Sequence, residues 1–175
     1  HIRARFDAAA SAKPAPEGAF RDRTEYLRRR WGEALRTLYL EQKNAAAYVA
    51  LAEETGPTAQ DCRNVATLLA SRRKPGEALT WVERGLDLDK KTPHGSMAGY
   101  DLGKLKRDLL TRLGRGDEAL EAAWAEYREH PSKYTYDDLM KFVPKAERST
   151  WHEKAMDAGQ GADLDSLIEL LLETQ

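Results

Sequence analysis

Two stretches of this chain repeat each other, and the repetition limits what the chain can fold into. The first runs from Leu68 to Leu79 and the second from Leu109 to Leu120, at an offset of 41 residues. Each contains an apolar run with helical spacing, a turn of glycine, proline and basic residues, and a second run that begins with an acidic residue. A period between about 20 and 50 residues is typical of proteins built from stacked units. The pattern therefore predicts a helical hairpin that is used twice.

The composition favours helix throughout the chain. Its 175 residues are rich in Ala, Leu, Glu and Arg and poor in β-branched residues, a bias that favours helices over strands. Charged residues make up 33% of the chain, but the formal net charge is −1, so no overall charge draws it to nucleic acid or to a membrane. We therefore predict an all-α fold of stacked antiparallel helical hairpins, long enough to bury one sizeable core.

The cysteine content and the hydropathy of the chain indicate the cellular compartment in which we expect it. The single cysteine, Cys62, excludes an internal disulfide and is typical of a reducing environment. No run approaches the roughly 20 apolar residues of a membrane span, and residues 2–12 lack the apolar centre of a signal peptide. We therefore expect a cytoplasmic protein without a membrane partner, and we expect the chain to be part of a longer one.

Breaker residues divide the chain into segments. A short helix and a linker are predicted over 1–18, and a single helical-repeat domain is predicted over 19–175. One long helix from Ala19 to about Lys43 is the favoured prediction, and the alternative is a degenerate hairpin that turns at Gly32. Further along the domain, we predict hairpins over 58–90, 100–131 and 134–158 and a terminal helix over 162–174.

Several helix ends carry their own local signals. Gly56 and Pro57 together predict the end of one helix. Thr58 and Asp61 form an approximate capping box for the next helix. Pro75 suits the first turn of a helix, where its missing N–H has no structural consequence.

The second repeated stretch resembles a tetratricopeptide repeat. Gly114, Ala119 and Pro131 have the spacing of that family's small turn residue, its alanine at the helix crossing and its terminal proline. Residues 101–131 therefore resemble one repeat, and residues 60–90 resemble a poorer copy. The family's period is about 34 residues, and a loop over residues 89–99 accommodates the extra length here. The resemblance implies a right-handed α-solenoid.

Three residues depart from the family pattern. Arg107 replaces a small residue in the middle of the first helix, and Gly85 and Glu126 replace a later alanine. A second resemblance is that residues 77–86 are similar to helical regions beside SWIM-type zinc fingers in bacterial proteins. No finger cysteines are present, so that resemblance implies a bacterial origin without zinc chemistry.

The tetratricopeptide resemblance implies a non-enzymatic scaffold that binds extended peptides or partner helices on its concave face. The positions that carry over to that face are Arg63, Asn64, Thr67, Lys104, Asp108 and Thr111. Arg63 and Lys104 stand where members with a carboxylate clamp place cations. Asp108 departs from that clamp, because a carboxylate beside the site repels an acidic ligand.

Two alternative functions remain open. Arginines concentrate between Arg21 and Arg36, which favours a nucleic-acid-associated domain, although Asp22 and Glu25 are interleaved with them. The acidic residues of the final helix also make head-to-tail self-association possible. A helical enzyme is the second alternative, with its site near the 89–99 loop, where Ser96 lies.

Other chemically suggestive residues have simpler explanations. Cys62 is interpreted as a small core residue, and the three aromatic residues Tyr134, Tyr136 and Trp151 are interpreted as core rather than as a hot spot. The tripeptide from Arg115 to Asp117 fits the needs of a turn. No histidine has a partner at a metal-binding spacing. We therefore predict no catalytic residue, no metal and no cofactor.

Overall fold

A computed structural model describes residues 1–11, 19–91 and 96–159 of the chain. All regular structure in these ranges is helical, and no strand occurs in them. This finding confirms the all-α prediction. The predicted linker over 13–18, residues 92–95 of the predicted 89–99 loop and the terminal helix over 162–174, with its acidic residues, lie outside the described residues. Of the rest of that loop, Asp89 ends α5 and residues 97–99 begin α6.

The described residues form nine α-helices. Their bounds are α1 (Ile2–Ala10), α2 (Ala19–Glu41), α3 (Ala45–Thr55), α4 (Ala59–Ser71), α5 (Pro75–Asp89), α6 (Met97–Arg112), α7 (Gly116–Glu129), α8 (Lys133–Phe142) and α9 (Arg148–Gly159). A short 3₁₀ turn (Lys145–Glu147) precedes α9.

The helix ends follow the local signals in the sequence. α2 passes through Gly32 without a break, which confirms the long helix. α3 ends at Thr55, and its C-cap Gly56 has a φ of 85°, a value in the left-handed region that favours glycine. Thr58 and Asp61 form both hydrogen bonds of a capping box at the start of α4. Pro75 occupies the first turn of α5.

The turns that follow α2, α4 and α6 share one backbone geometry. One residue in each turn has a positive φ: Lys43 (50°), Arg73 (58°) and Gly114 (74°). The next residue in each turn donates its N–H to a carbonyl five residues back, which is the main bond of a Schellman motif. These bonds are Asn44 to Tyr39 (2.8 Å), Lys74 to Leu69 (3.1 Å) and Arg115 to Leu110 (2.9 Å).

The repeated sequence pattern includes only the second and third of these turns. The first turn has Lys43 at the left-handed position, and α3 begins with three alanines instead of an acidic residue. The sequence predicts a helix end at about Lys43, but residue types alone do not indicate that this turn shares the backbone geometry of the other two.

The chain divides into two compact units, His1–Leu102 and Gly103–Gln175, with the boundary inside α6. In the first unit, α1 packs on α2, and α4 packs on α5 over the most extensive contact. Phe6, Leu35 and Leu51 form a buried cluster, so α1 contributes to the core of this unit. A Cβ at Gly32 would lie 3.5 Å from the Phe6 ring, which is an ordinary van der Waals contact.

The second unit has a core rich in aromatic residues. Its buried members are Ala123, Tyr127, Tyr136, Leu139, Val143 and Ala155. The Tyr127 hydroxyl donates to the carbonyl oxygen of Ala155 at 2.7 Å and links α7 to α9. Of the three aromatic residues expected in the core, Tyr136 is buried and Trp151 is half-buried, whereas Tyr134 is 54% exposed.

Candidate functional site

The first unit contains an open cleft between α2, the end of α3 and the start of α4. Its volume is 630 Å³, within the range of about 300–1,000 Å³ that is typical of ligand pockets. α2 contributes one wall, because residues spaced three and four apart lie on one face of a helix. The lining residues of that wall are Glu25, Arg28, Arg29, Gly32, Glu33, Arg36, Thr37 and Leu40.

Asp61 lies at the base of this cleft and is 2% exposed. Its Oδ1 accepts hydrogen bonds from Arg36 Nε at 2.7 Å and from the Tyr48 hydroxyl at 2.8 Å. Its Oδ2 accepts from the Thr58 backbone N–H at 3.1 Å and from the Thr58 hydroxyl at 2.9 Å. A buried carboxylate requires such partners, because its desolvation is otherwise too unfavourable. Asp61 thus joins three helices.

Arg36 connects the wall of the cleft to its base. Besides its bond to Asp61, its Nη2 donates to the Thr55 hydroxyl at 2.6 Å. The Thr55 hydroxyl in turn donates to the carbonyl oxygen of Leu51 at 2.8 Å. The guanidinium is held in one orientation as a result, and its side chain is 21% exposed.

Two amide side chains continue the network along α4. Asn64 Nδ2 donates to the Tyr48 hydroxyl at 2.9 Å, and Gln60 Nε2 donates to Asn64 Oδ1 at 3.0 Å. Each amide has more donors and acceptors than these two bonds use. The α4 wall therefore offers amide groups to a bound molecule.

The hydrogen bonds fix the protonation states at the base of the cleft. Burial raises the pKa of Asp61, but the hydrogen bonds from Arg36, Tyr48 and Thr58 outweigh burial and lower it below 3.8. Burial raises the pKa of Tyr48 to about 12, and the bond to Asp61 adds to this effect, whereas the bond from Asn64 opposes it. Asp61 is an anion and Tyr48 a neutral donor at neutral pH, so neither group is poised for proton transfer.

The outer rim of the cleft carries mixed charge. Arg28, Arg29, Glu25 and Glu33 are exposed, and Arg29 Nε lies 3.7 Å from Glu33 Oε1. Exposed pairs of this kind contribute little to stability. These side chains can therefore exchange one partner for another with little loss of stability.

Three of the predicted site residues lie on α4 in the first unit. Asn64 lines the cleft. Arg63 Nε forms an ion pair with Asp101 Oδ2 at 2.8 Å, and the Thr67 hydroxyl donates to the carbonyl oxygen of Arg63 at 2.8 Å. Of these three, the structure brings only Asn64 into the cleft.

The other three predicted site residues lie on α6 in the second unit. Lys104, Asp108 and Thr111 are exposed and follow one another at helical spacing. The Thr111 hydroxyl donates to the carbonyl oxygen of Arg107 at 3.0 Å, within its own helix. Their predicted binding role stays a prediction.

Sequence reasoning missed most of the cleft. In the sequence, Arg28, Arg29 and Arg36 are distinguished only as members of a basic helix, and Asp61 only as part of a helix cap. Tyr48 gave no signal beyond being the one aromatic residue of the alanine-rich α3. The spacing of the α2 residues indicates a shared face, but only the packing of α3 on both α2 and α4 brings Arg36 to Asp61.

The surroundings of Ser96 and Cys62 indicate structural roles for both residues. The Ser96 hydroxyl donates to Asp89 Oδ1 and accepts from the Gly99 N–H at 3.1 Å, as the N-cap of a helix does. Cys62 is fully buried, and burial raises the pKa of its thiol. Neither residue has the surroundings of an activated nucleophile.

Two further features of the described ranges concern metals and membranes. In residues 1–11, 19–91 and 96–159, no group of three or more histidine, cysteine and acidic side chains could hold a metal ion. In the same ranges, no helix combines the length and the apolarity that crossing a membrane requires.

The indications of this chain's function come from its own residues and their geometry. No family model, curated protein or solved structure matches the chain.

Proposed function

We propose that this chain is a non-enzymatic protein-interaction module of tetratricopeptide-like repeats, and that its cleft binds an extended segment of a partner protein. The observation that carries this proposal is the 630 Å³ cleft between α2 and α4. In a stack of helical hairpins, the first helices of successive hairpins line the concave face, and α2 and α4 are the first helices of two proposed hairpins.

The three matching turns support a repeated hairpin. A Schellman motif follows each of α2, α4 and α6 at the same point of the backbone. One shared turn geometry favours one shared arrangement of α2 with α3, α4 with α5 and α6 with α7. The pair α8 and α9 is joined differently, by an extended Val143 and a 3₁₀ turn.

The state of the cleft base favours binding over catalysis. Asp61 is engaged by Arg36, Tyr48 and Thr58. A general base or nucleophile needs an accessible lone pair close to a substrate. The base of the cleft instead supplies a rigid support. Because a rigid site is already ordered, it loses less conformational entropy when a ligand binds.

The walls of the cleft suit a peptide better than a polyphosphate. Gln60 and Asn64 can form hydrogen bonds with the alternating N–H and C=O groups of an extended backbone. Arg28 and Arg29 can pair with acidic side chains of the partner, whereas Glu25 and Glu33 repel a continuous run of phosphates. Arg36, the most buried of the three arginines, is already paired with Asp61.

Selection from a random peptide library on the immobilised chain tests this proposal. The selected peptides are titrated by fluorescence anisotropy against the wild type and the double variant Arg28→Glu/Arg29→Glu. We expect the variant to bind at least about ten-fold more weakly, since two charge-assisted contacts are lost.

The matched control reverses two exposed arginines of the second unit, in the variant Arg112→Glu/Arg128→Glu. We expect its affinity to stay within about two-fold of the wild type. Equal losses in both variants, or no loss in the first, would contradict the proposal. Binding of DNA or RNA at low salt, with a steep salt dependence, would favour the nucleic-acid alternative instead.

A further inference from the structure

Two tryptophans of the second unit form a corner that already holds a cation. The rings of Trp124 in α7 and Trp151 in α9 have centroids 5.5 Å apart and planes at 79°. Lys154 Nζ lies 4.5 Å from the Trp124 centroid and 4.0 Å from the Trp151 centroid. Both distances are well inside the range of about 6 Å over which a ring face attracts a cation.

The neighbours of the corner hold both rings in place. Trp151 Nε1 donates to Glu147 Oε2 at 3.2 Å. Trp124 stacks on the buried Tyr127, with centroids 5.8 Å apart and planes at 21°. Glu147 also brings a negative charge to the edge of the corner, which adds to the attraction for a cation. The corner is thus organised before any ligand arrives.

The other two tryptophans meet a cation in a different way. Arg5 lies over Trp31 at 5.0 Å, and Arg84 lies over Trp81 at 4.9 Å. These cations are planar guanidinium groups, and Arg84 is also paired with Glu53. In the corner, by contrast, one compact ammonium contacts two faces set nearly at right angles.

We propose that the corner of Trp124 and Trp151 is a binding site for a trimethylammonium group, and that Lys154 is the resident cation which the ligand displaces. The primary ammonium of lysine is compact and strongly hydrated, so holding it against two indoles opposes its hydration. A trimethylammonium group keeps the charge and adds methyl groups that bury apolar surface on both rings. Lys154 is exposed, so it can leave the corner for solvent.

Choline is the first probe, and 3,3-dimethylbutan-1-ol is its neutral control of the same shape. We expect choline to shift the indole N–H resonances of Trp124 and Trp151 in a ¹⁵N-labelled chain and to leave those of Trp31 and Trp81 unchanged. The neutral alcohol should bind at least several-fold more weakly, because it lacks the charge. A peptide with one trimethyl-lysine is the second probe, and the tighter of the two identifies the source of the group.

Variants separate the site from the surrounding core. Lys154→Ala should strengthen binding of the preferred probe about two- to five-fold, the equivalent of one exposed cation–π contact, whereas Lys145→Ala should leave it unchanged. Trp151→Leu should abolish binding. If that variant fails to fold, Trp151→Phe keeps an aromatic face and should weaken binding. The proposal is wrong if neither probe shifts the two indoles in the Lys154→Ala protein, or if the neutral alcohol binds as well as choline.

Discussion

At the scale of single residues, Gly85 is a position where the close packing of neighbouring helices requires a glycine. The tetratricopeptide resemblance places an alanine there, yet Gly85 is buried against α4 and α6. An added Cβ would lie 2.6 Å from Leu102 Cδ1 and 2.8 Å from Cys62 Cβ. The leucine can turn away, but the cysteine Cβ is fixed to its backbone. The glycine is therefore required by the close approach of its neighbours.

We expect Gly85→Ala to lower the free energy of unfolding by about 1–3 kcal/mol, because the extra methyl overpacks a filled core. Gly76→Ala is the matched control in the same helix, since no atom lies within 4 Å of its added Cβ. The control should be neutral or stabilising by up to about 1 kcal/mol. Urea denaturation measures both changes, and equal stabilities for the two variants would contradict this explanation of Gly85.

Asp61 leads to a prediction about pH. Asp61→Asn should lower the free energy of unfolding at pH 7 by about 2–4 kcal/mol, because it leaves the Arg36 charge without its carboxylate. The pKa of Asp61 is lower in the folded chain than its ordinary value of 3.8. The contribution of the carboxylate is therefore complete above pH 3.8 and is lost as the pH falls through the lower, folded value.

Urea denaturation of the wild type and the variant between pH 7 and pH 2 measures this dependence. The difference in stability should narrow as the pH falls below about 4. Asp87→Asn is the control, because Asp87 is paired with Lys90 at the surface and should change stability by less than about 1 kcal/mol. A difference that stays constant down to pH 2 would show that the Asp61 charge is not responsible.

At the scale of helices and turns, the three Schellman motifs predict opposite changes in the free energy of unfolding for two substitutions at equivalent positions. Arg73 has a left-handed backbone at the position where the third turn has Gly114. We expect Arg73→Gly to raise the free energy of unfolding by up to about 1 kcal/mol and Gly114→Ala to lower it by about 1 kcal/mol. Gly116→Ala, two residues further on, has open space around its added Cβ and should not destabilise. Thermal unfolding followed by circular dichroism measures these changes, and the same sign for Arg73→Gly and Gly114→Ala would contradict the shared geometry.

The second unit contains a buried ion pair between α6 and α8. Arg107 is 3% exposed and Asp138 is 6% exposed, and Arg107 Nη2 lies 2.7 Å from Asp138 Oδ2. The two atoms touch without the alignment of a hydrogen bond, and Arg107 Nε has no acceptor among the described residues. Asp138 compensates for the charge of this arginine, which stands where the tetratricopeptide resemblance implies a small residue.

We expect Asp138→Leu to lower the free energy of unfolding by about 3–5 kcal/mol, because it leaves the Arg107 charge buried and unpaired. The double variant Arg107→Met/Asp138→Leu should regain most of that loss. Asp137→Leu serves as the control, since Asp137 is exposed and its partner Lys133 reaches solvent. Chemical denaturation of these three variants measures their free energies of unfolding. Additive losses in the double variant would contradict the coupling between Arg107 and Asp138.

At the scale of the whole molecule, local signals in the sequence predict the helices far better than the site. Gly56, Pro57 and Thr58 mark helix ends because caps depend on neighbours in sequence. The cleft depends on Arg36 and Asp61, which are 25 residues apart and meet only when α3 packs on both α2 and α4. The boundary between the two units also gives no signal, because it lies inside the unbroken α6.

The account of this molecule depends most on the cleft of the first unit as the place where a partner segment binds. The measurement that tests it most directly is a chemical-shift titration of the ¹⁵N-labelled chain with the tightest peptide from the library selection. We predict that the largest shifts fall on residues 25–40 of α2, on Tyr48 of α3 and on residues 55–64 around the start of α4, which together contain the cleft lining. Shifts that avoid these residues and gather elsewhere in the chain would contradict the account.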